Sequence, residues 1–402
     1  MSLDLAETLR QVEGVAERLR LEVARYLARL DRLVAHARTL PLEALQTAVR
    51  EVPPRLPFLP AQPLEPLPSA YSAPPLPRPW RILAADGSHI DVNRHLPLQC
   101  YLINIGRVAI TYGGREPALL DSTPQLFSAP QDLALYDEAT GKTIRVEGPL
   151  VHLHRSALEM EALASLAEGR APCPTVALAD GSLVLWAPEG GQWPEVVRQR
   201  FIRTRFLAGL EALRQQAQRY PLAVAGYISL PNSAEVVNAL RLALCSSLPG
   251  RCPSLTRREA EPSCPCAVAQ GFTDRDLFRR LLRPGERSGL FRSLSVLVRE
   301  EYGEEQAIHF FYVHAGEEVV RLEVPGWCAR EPTLVGLVHA GVLEQVRMGQ
   351  GYPLALQEAH EQAVVSAQDR DAFRLIVEEA LARWGLPVYT SEKQRSKRLR
   401  SL

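Results

Sequence analysis

The sequence predicts an α/β protein: a mixed β-sheet flanked by helices, with an N-terminal helical extension. Three observations predict it. Short apolar runs at 81–85 and 175–178 each end at an Asp-Gly pair, and segments with helical periodicity follow them. The runs at 99–106 and 108–112 lie close enough to form an antiparallel pair, so the sheet is mixed. At 402 residues and 46% hydrophobic content, the chain is long enough to bury a sizeable core without staples.

The elements follow in order. Region 1–52 reads as helix, because Leu5, Leu9, Val12, Val15, Leu19, Val23, Leu27, Leu30 and Val34 recur at three- and four-residue steps. Such a stripe packs within the chain, in a homodimer or on another partner helix. Region 53–79 holds eleven prolines and reads as an extended connector. Region 80–388 carries the α/β pattern: strands at 81–85, 99–106 and 108–112, a helix at 152–168, strands at 175–178 and 183–186, and a helix at 194–219. Then come a strand at 222–229, a helix at 233–244, a cysteine-rich loop at 245–266 and a helix at 273–282. Strands at 293–298, 307–313 and 319–324 follow, and helices fill 334–348 and 352–386. The tail at 389–402 is basic.

Lys+Arg and Asp+Glu both number 46, so the net charge is zero and no global positive field advertises nucleic acid; binding to DNA would need local patches. Lysine occurs only at Lys142, Lys393 and Lys397, and the arginines that carry the remaining positive charge suit phosphate contacts. No apolar run reaches the ~18 residues a membrane span requires, and the charged N-terminus is unlike a signal peptide. Seven cysteines, an odd number, fit a reduced, cytoplasmic chain.

The sharpest feature is Asp-Gly-Ser used twice, at Asp86 and at Asp180, each after an apolar strand. A strand-ending acid sits at the carboxyl edge of a sheet, and Gly turns the backbone away and leaves that edge open. Two such acids on neighbouring strands suit a hard divalent cation; as plain turns, they need no ligand. The helix before the second strand offers a third acid. Arg155 and Glu159 share a face at i,i+4, and Glu161 points nearly opposite, so only one of the two glutamates can face the sheet edge. A surface ion pair from Arg155 to Glu159 is the competing reading. Farther on, Pro353 suits the first turn of a helix starting at Tyr352, and His360 lies two turns later on nearly the same face. A histidine there can ligate a metal or move a proton. Cys245, Cys252, Cys264 and Cys266 bring four thiols into one loop, suited to Zn²⁺ or an iron–sulfur cluster, although the spacing lacks a paired C-x-x-C. Cys100, Cys173 and Cys328 sit among apolar residues, as core cysteines do.

Over about residues 80–380 the chain resembles the NurA nucleases. The pieces that carry this are Asp86-Gly-Ser, the Arg155…Glu159 helix leading to Asp180-Gly-Ser-Leu, and Gly226-Tyr-Ile-Ser-Leu-Pro-Asn-Ser233 before Val236-Val-Asn-Ala-Leu-Arg. After these come Asp274-Arg-Asp-Leu-Phe278, Leu282-Arg-Pro-Gly-Glu-Arg-Ser288 and Tyr352-Pro…His360, in that order. The resemblance implies an RNase H-like core, a homodimer, and Mn²⁺- or Mg²⁺-dependent cleavage of single-stranded DNA with 5′-to-3′ trimming, in DNA-end resection and repair beside a HerA-type hexameric ATPase. It places the metal acids on Asp86, Glu159 and Asp180, with Glu161 as the alternative to Glu159. It places the family's Tyr and His on Tyr352 and His360, the latter also a candidate ligand. Leu230 stands where the family often has a basic residue. Two cations ~4 Å apart would clamp the attacking and leaving oxygens of a phosphodiester. Arg283, Arg287 and Arg292 are candidate contacts to the DNA backbone.

Two other classes remain open on sequence. One is a non-catalytic NurA-like subunit that docks on the ATPase and guides DNA. The other is an actin-like nucleotide-binding fold, which would carry richer glycine loops than this chain has.

Overall fold

The structure, a computed structural model, describes residues 4–51, 56–92, 98–188, 191–245 and 264–385. The basic tail, Cys252 and the start of the proline-rich connector lie outside the described residues. The chain packs as two compact units. One draws on Met1–Ala73, Ile228–Ser295 and His309–Leu322, the other on Pro74–Tyr227, Val296–Ile308 and Glu323–Leu402.

The second unit is built on five strands: β1 (Trp80–Ile90), β2 (Tyr101–Tyr112), β3 (Leu119–Phe127), β4 (Thr175–Asp180) and β5 (Leu222–Ile228). β1 pairs antiparallel with β2, and β2 with β3, while β1, β4 and β5 run parallel. The order β3-β2-β1-β4-β5 is the mixed RNase H-like arrangement. Burial follows from position. Central β1 is buried from Trp80 through Gly87, as a strand covered on both faces must be. Edge β3 alternates half-buried and exposed residues and tolerates Pro124, which has no N–H to give to a ladder. Three helices matter for the site: α1 (Pro149–Ala167) packs on β1, and α2 (Pro332–Met348) precedes α3 (Leu354–Ala363), which packs on β1 and β2.

In the first unit, the helices Leu5–Thr39, Leu42–Arg50, Glu235–Leu244 and Asp274–Leu281 surround small antiparallel strand pairs. These include Ala61–Pro63 with Phe291–Ser293, and Phe291–Ser293 with Ile308–His314. The shared core contains Leu33, Leu45, Leu240, Phe278, Phe310 and Tyr312.

Several expectations are corrected. The N-terminal helix breaks at Leu40 because Pro41 lacks an N–H and disfavours helical backbone in the residue before it. The connector is not merely extended: it supplies the short strands Ala61–Pro63 and Ala70–Ser72. The segments 99–106 and 108–112 are one strand, β2, not a pair. Arg107 simply takes the outward register position and pairs with Asp121 of β3 at 2.7 Å. Gly106 is there for helix packing rather than a turn, since a Cβ at that position would run into the Ala359 carbonyl of α3. Segment 183–186 is not a strand. Its backbone groups are met by side chains instead: Leu183 N–H by Glu323 (2.8 Å), and Leu185 N–H and Leu183 C=O by the Tyr302 hydroxyl (3.2 and 2.8 Å). The strand expected at 293–298 stops at Ser293, whose Oγ accepts the Ser295 N–H in a turn into helix. Helix α3 begins at Leu354 rather than Tyr352, because Pro353 serves as its N-cap residue.

Candidate metal centre

The first Asp-Gly-Ser is not a turn. β1 runs straight through Asp86 and Gly87 to Ile90. Cross-strand partners share a face, and Asp86 is opposite Gly106, the residue against which α3 lies; Asp86 therefore faces α3 and Gly87 faces α1. Gly87 is required by proximity and not by its φ: a Cβ there would stand 2.6 Å from Arg155 Cγ and 2.7 Å from Glu159 Oε1. The missing side chain lets the carboxylate from α1 reach the strand that carries Asp86. The second Asp-Gly-Ser is a true turn, with Gly181 at φ +98 and its N–H bonded to the Tyr227 carbonyl. Glu323 secures this turn by accepting from the Ser182 hydroxyl and the Leu183 N–H, both at 2.8 Å.

Five side chains from five different segments thus converge in the second unit. Asp86 and Glu159 are each only 8% exposed. Asp86 Oδ1 accepts the Gly87 N–H at 2.8 Å, and its Oδ2 lies 2.8 Å from His360 Nδ1. The His360 side chain is 62% exposed at the mouth of the site. Asp180, at the solvent-facing end of β4, accepts the Tyr352 hydroxyl at 2.7 Å, and the Tyr352 ring meets Tyr227 edge-on at 5.2 Å. α3 is held in register by its ends. Gln345 accepts the Ala355 N–H at 2.8 Å, and Asn104 donates to the carbonyls of Gln362 and Ala363 at 3.2 and 3.0 Å.

The electrostatics are those of crowded acids. Burial pushes the Glu159 carboxyl up to about 8; Arg155 opposes this, and Asp86 and Asp180 add to it. Asp180 is held above its ordinary range, chiefly by partial desolvation, with the Tyr352 hydrogen bond pulling against it and Asp86 adding to it. Desolvation and the neighbouring Asp180 raise the Tyr352 phenol. Arg155 Nε stands 3.2 Å from Glu159 Oε1, but the pair is misaligned and both atoms remain buried without a hydrogen bond. An orphaned, desolvated carboxylate oxygen beside two further acids is a set of hard oxygen donors short of positive charge, and it fits Mn²⁺ or Mg²⁺.

The competing glutamate lies elsewhere. Glu161 is half-buried and stands 3.8 Å from Arg205. Its neighbour His154 belongs to the core. Arg205 donates to Nε2 (2.8 Å), which leaves Nδ1–H to donate to the Tyr101 hydroxyl (2.9 Å), and burial lowers this imidazole to about 3. Arg283, Arg287 and Arg292 are in the first unit. Arg283 is exposed, Arg292 is half-buried, and Arg287 stacks on Tyr71 at 4.1 Å and donates to the Ser288 carbonyl, so its guanidinium is already engaged by the fold. Leu230 is exposed with φ +43. Of the loop cysteines, Cys245, Cys264 and Cys266 come together. Cys100, Cys173 and Cys328 are buried among apolar residues. The sequence reading missed Glu323, Asn104 and Gln345. Only Glu323 left a trace, as a lone acid in the apolar run 319–325.

The profile of the NurA domain matches residues 81–365, most of the chain. The chain belongs to the NurA family. Among solved structures, it is similar to the NurA nuclease from Sulfolobus solfataricus at 12% identity, with 93% of this chain and 98% of that chain covered and a TM-score of 0.47. It is also similar to NurA with manganese (11% identity; 92% and 98% covered; TM-score 0.40) and to NurA bound to dAMP and manganese (12%; 78% and 90%; 0.33). No curated protein matches the chain. In this NurA member, the matched span contains Asp86, Glu159, Asp180, Tyr352 and His360.

Proposed function

We propose that this NurA-family chain is a divalent-metal-dependent DNA nuclease, its activity carried by 80–388, with Asp86, Glu159 and Asp180 holding Mn²⁺ or Mg²⁺. The supporting observation is the convergence of these carboxylates, from two strands and a helix distant in sequence, around an orphaned buried oxygen. The family resemblance supports two ions at these acids, which would clamp the attacking and leaving oxygens of the phosphodiester. When bound, such ions would neutralise the acids and polarise the phosphodiester, a charge stabilisation worth several kcal/mol.

The protein's own groups do the rest. Asp86 is fixed by Gly87 N–H and His360, so its carboxylate is oriented before any substrate arrives. His360 donates through Nδ1, leaving Nε2 at the exposed mouth as the atom through which a proton moves. Tyr352 orients Asp180 by its hydroxyl and is the candidate to position a phosphate or stack a base. Arg155 offsets the acids' charge from the α1 side.

The finer reading follows the family: single-stranded or end-containing DNA as substrate, endonucleolytic cutting with 5′-to-3′ trimming, and DNA-end resection beside a HerA-type ATPase in the cytoplasm. Among the described residues, no helix is long and apolar enough to cross a membrane. A homodimer or partner helix is supported by the N-terminal helix. Leu30, Leu33 and Val34 pack into the core of the first unit, while Leu5, Leu9, Val12, Val15, Val23 and Leu27 are exposed. The test is cleavage of single-stranded DNA with Mn²⁺ and with EDTA, by the full chain and by Asp86→Asn. Metal-dependent cutting that Asp86→Asn abolishes, with its folding unchanged, is expected. Metal-independent cutting, no cutting by the wild-type chain, or full activity in Asp86→Asn contradicts it.

A further inference from the structure

A second set of ligand atoms converges in the first unit, and its chemistry is different. The Sγ atoms of Cys245, Cys264 and Cys266 all lie within 4.8 Å of one another, with Cys245 to Cys264 at 3.9 Å and Cys264 to Cys266 at 3.0 Å. Cys245 is the C-cap residue of the helix Glu235–Leu244; Cys264 is the N-cap residue of the short 3₁₀ turn Pro265–Ala269 that carries Cys266. Cys245 and Cys266 are buried, Cys264 is half-buried, and all three sit in or against the apolar core that includes Leu242, Ala269 and Phe272.

We propose that these three thiols are ligands of a structural Zn²⁺ ion, a site separate from the acid pocket. A tetrahedral zinc with Zn–S bonds of ~2.3 Å places its sulfurs ~3.8 Å apart. The Cys245–Cys264 separation of 3.9 Å is of that size, the Cys264–Cys266 separation of 3.0 Å is shorter, and all three sulfurs lie within 4.8 Å of one another, close enough to share one ion. An iron–sulfur cluster, whose thiolates bind different iron atoms, needs a wider ring of sulfurs. Packing alone does not ask for the arrangement. A thiol is a weak hydrogen-bond donor, and nothing in an apolar core rewards gathering three of them at one point. Pro265, between two of the cysteines, has its φ restricted by its ring and stands at the first position of the 3₁₀ turn. Ligand softness then sorts the metals: thiolates take zinc, whereas the carboxylates of the second unit take Mn²⁺ or Mg²⁺. Zinc binding displaces the thiol protons and ties the end of one helix to the start of the 3₁₀ turn, so the ion would stabilise the fold of the first unit.

The experiment is metal analysis of the full chain purified without chelator from zinc-supplemented medium, for the wild type, for Asp86→Asn and for the double variant Cys264→Ser/Cys266→Ser. Close to one zinc per chain is expected in the first two and its loss in the third. Retention in Asp86→Asn separates this site from the acid pocket, whatever the outcome for nuclease activity. Because loss of a buried and a half-buried thiol can itself unfold the double variant, cobalt replacement in the wild-type chain is the second readout, and a thiolate-to-cobalt charge-transfer absorption is expected. A wild-type chain without stoichiometric zinc and without that absorption, zinc unchanged in the cysteine variant, or a disulfide among the three in the unreduced protein overturns the proposal.

Discussion

Two buried carboxylates, one in each unit, contrast an acid satisfied by the fold with one that is a candidate metal ligand. Asp274 is fully buried, and burial pushes its carboxyl up to about 7; Glu159 is pushed up to about 8. A raised pKa therefore does not tell them apart. Their hydrogen bonds do. Asp274 accepts the Val236 and Val237 N–H groups at the start of a helix, at 3.1 and 2.8 Å, and the Tyr312 hydroxyl at 2.7 Å. Its oxygens are spent on holding Glu235–Leu244 against Asp274–Leu281. Glu159 has an oxygen with no hydrogen bond, a misaligned arginine and two acids as neighbours. An acid left short of partners in this way, beside two other acids, is a candidate to be completed by a cation.

The comparison breaks most visibly in paired variants. Glu159→Gln should lower metal-dependent cleavage on the order of 10³-fold, the loss of several kcal/mol of charge stabilisation, with little loss of folding. Asp274→Ala should do the reverse, costing about 3 kcal/mol of stability because it leaves two helix N–H groups without their acceptor and removes one hydrogen bond from the buried Tyr312 phenol. Steady-state cleavage rates and denaturant unfolding of the two variants check this. A Glu159→Gln protein that unfolds while Asp274→Ala is unaffected would invert the assignment.

A smaller effect sharpens it. The folded-state value for Glu159 lies above the ordinary 4.5, so the stability it contributes is present in full below that value and is lost as pH rises through about 8. In EDTA, the stability of wild type relative to Glu159→Gln should fall on the order of 4 kcal/mol between pH 5 and 9, nearly all of it below pH 8, with a slope of at most about 1.4 kcal/mol for each step of one in pH. Melting curves of both proteins across that range measure it. A difference that stays flat with pH would mean that Glu159 is solvated and its site is not desolvated.

Much of this was legible in the sequence because it is local. The order of strands and helices followed from apolar period, and the acids stood out because Asp-Gly-Ser occurs twice after apolar runs. What was illegible depended on contacts between distant segments. Gly87 reads as a turn residue, yet its role is to leave room for Glu159, more than seventy positions away. The split of β2 into runs at 99–106 and 108–112 has a similar origin: Gly106 lies mid-strand where α3 presses on it, a contact with a segment far along the chain. Spacing alone left Glu159 and Glu161 as alternatives; their surroundings differ, with Glu159 buried beside Asp86 and Asp180 and Glu161 partly exposed 3.8 Å from Arg205. Segment 183–186 looked like a strand by composition, but Glu323 and Tyr302 satisfy its backbone, and no periodicity encodes that.

The most direct test is anomalous diffraction from a crystal of the full chain grown with Mn²⁺. The prediction is manganese peaks beside the carboxylates of Asp86, Glu159 and Asp180 and none at Asp274. An empty acid pocket at saturating Mn²⁺, or peaks only at other carboxylates, would contradict it.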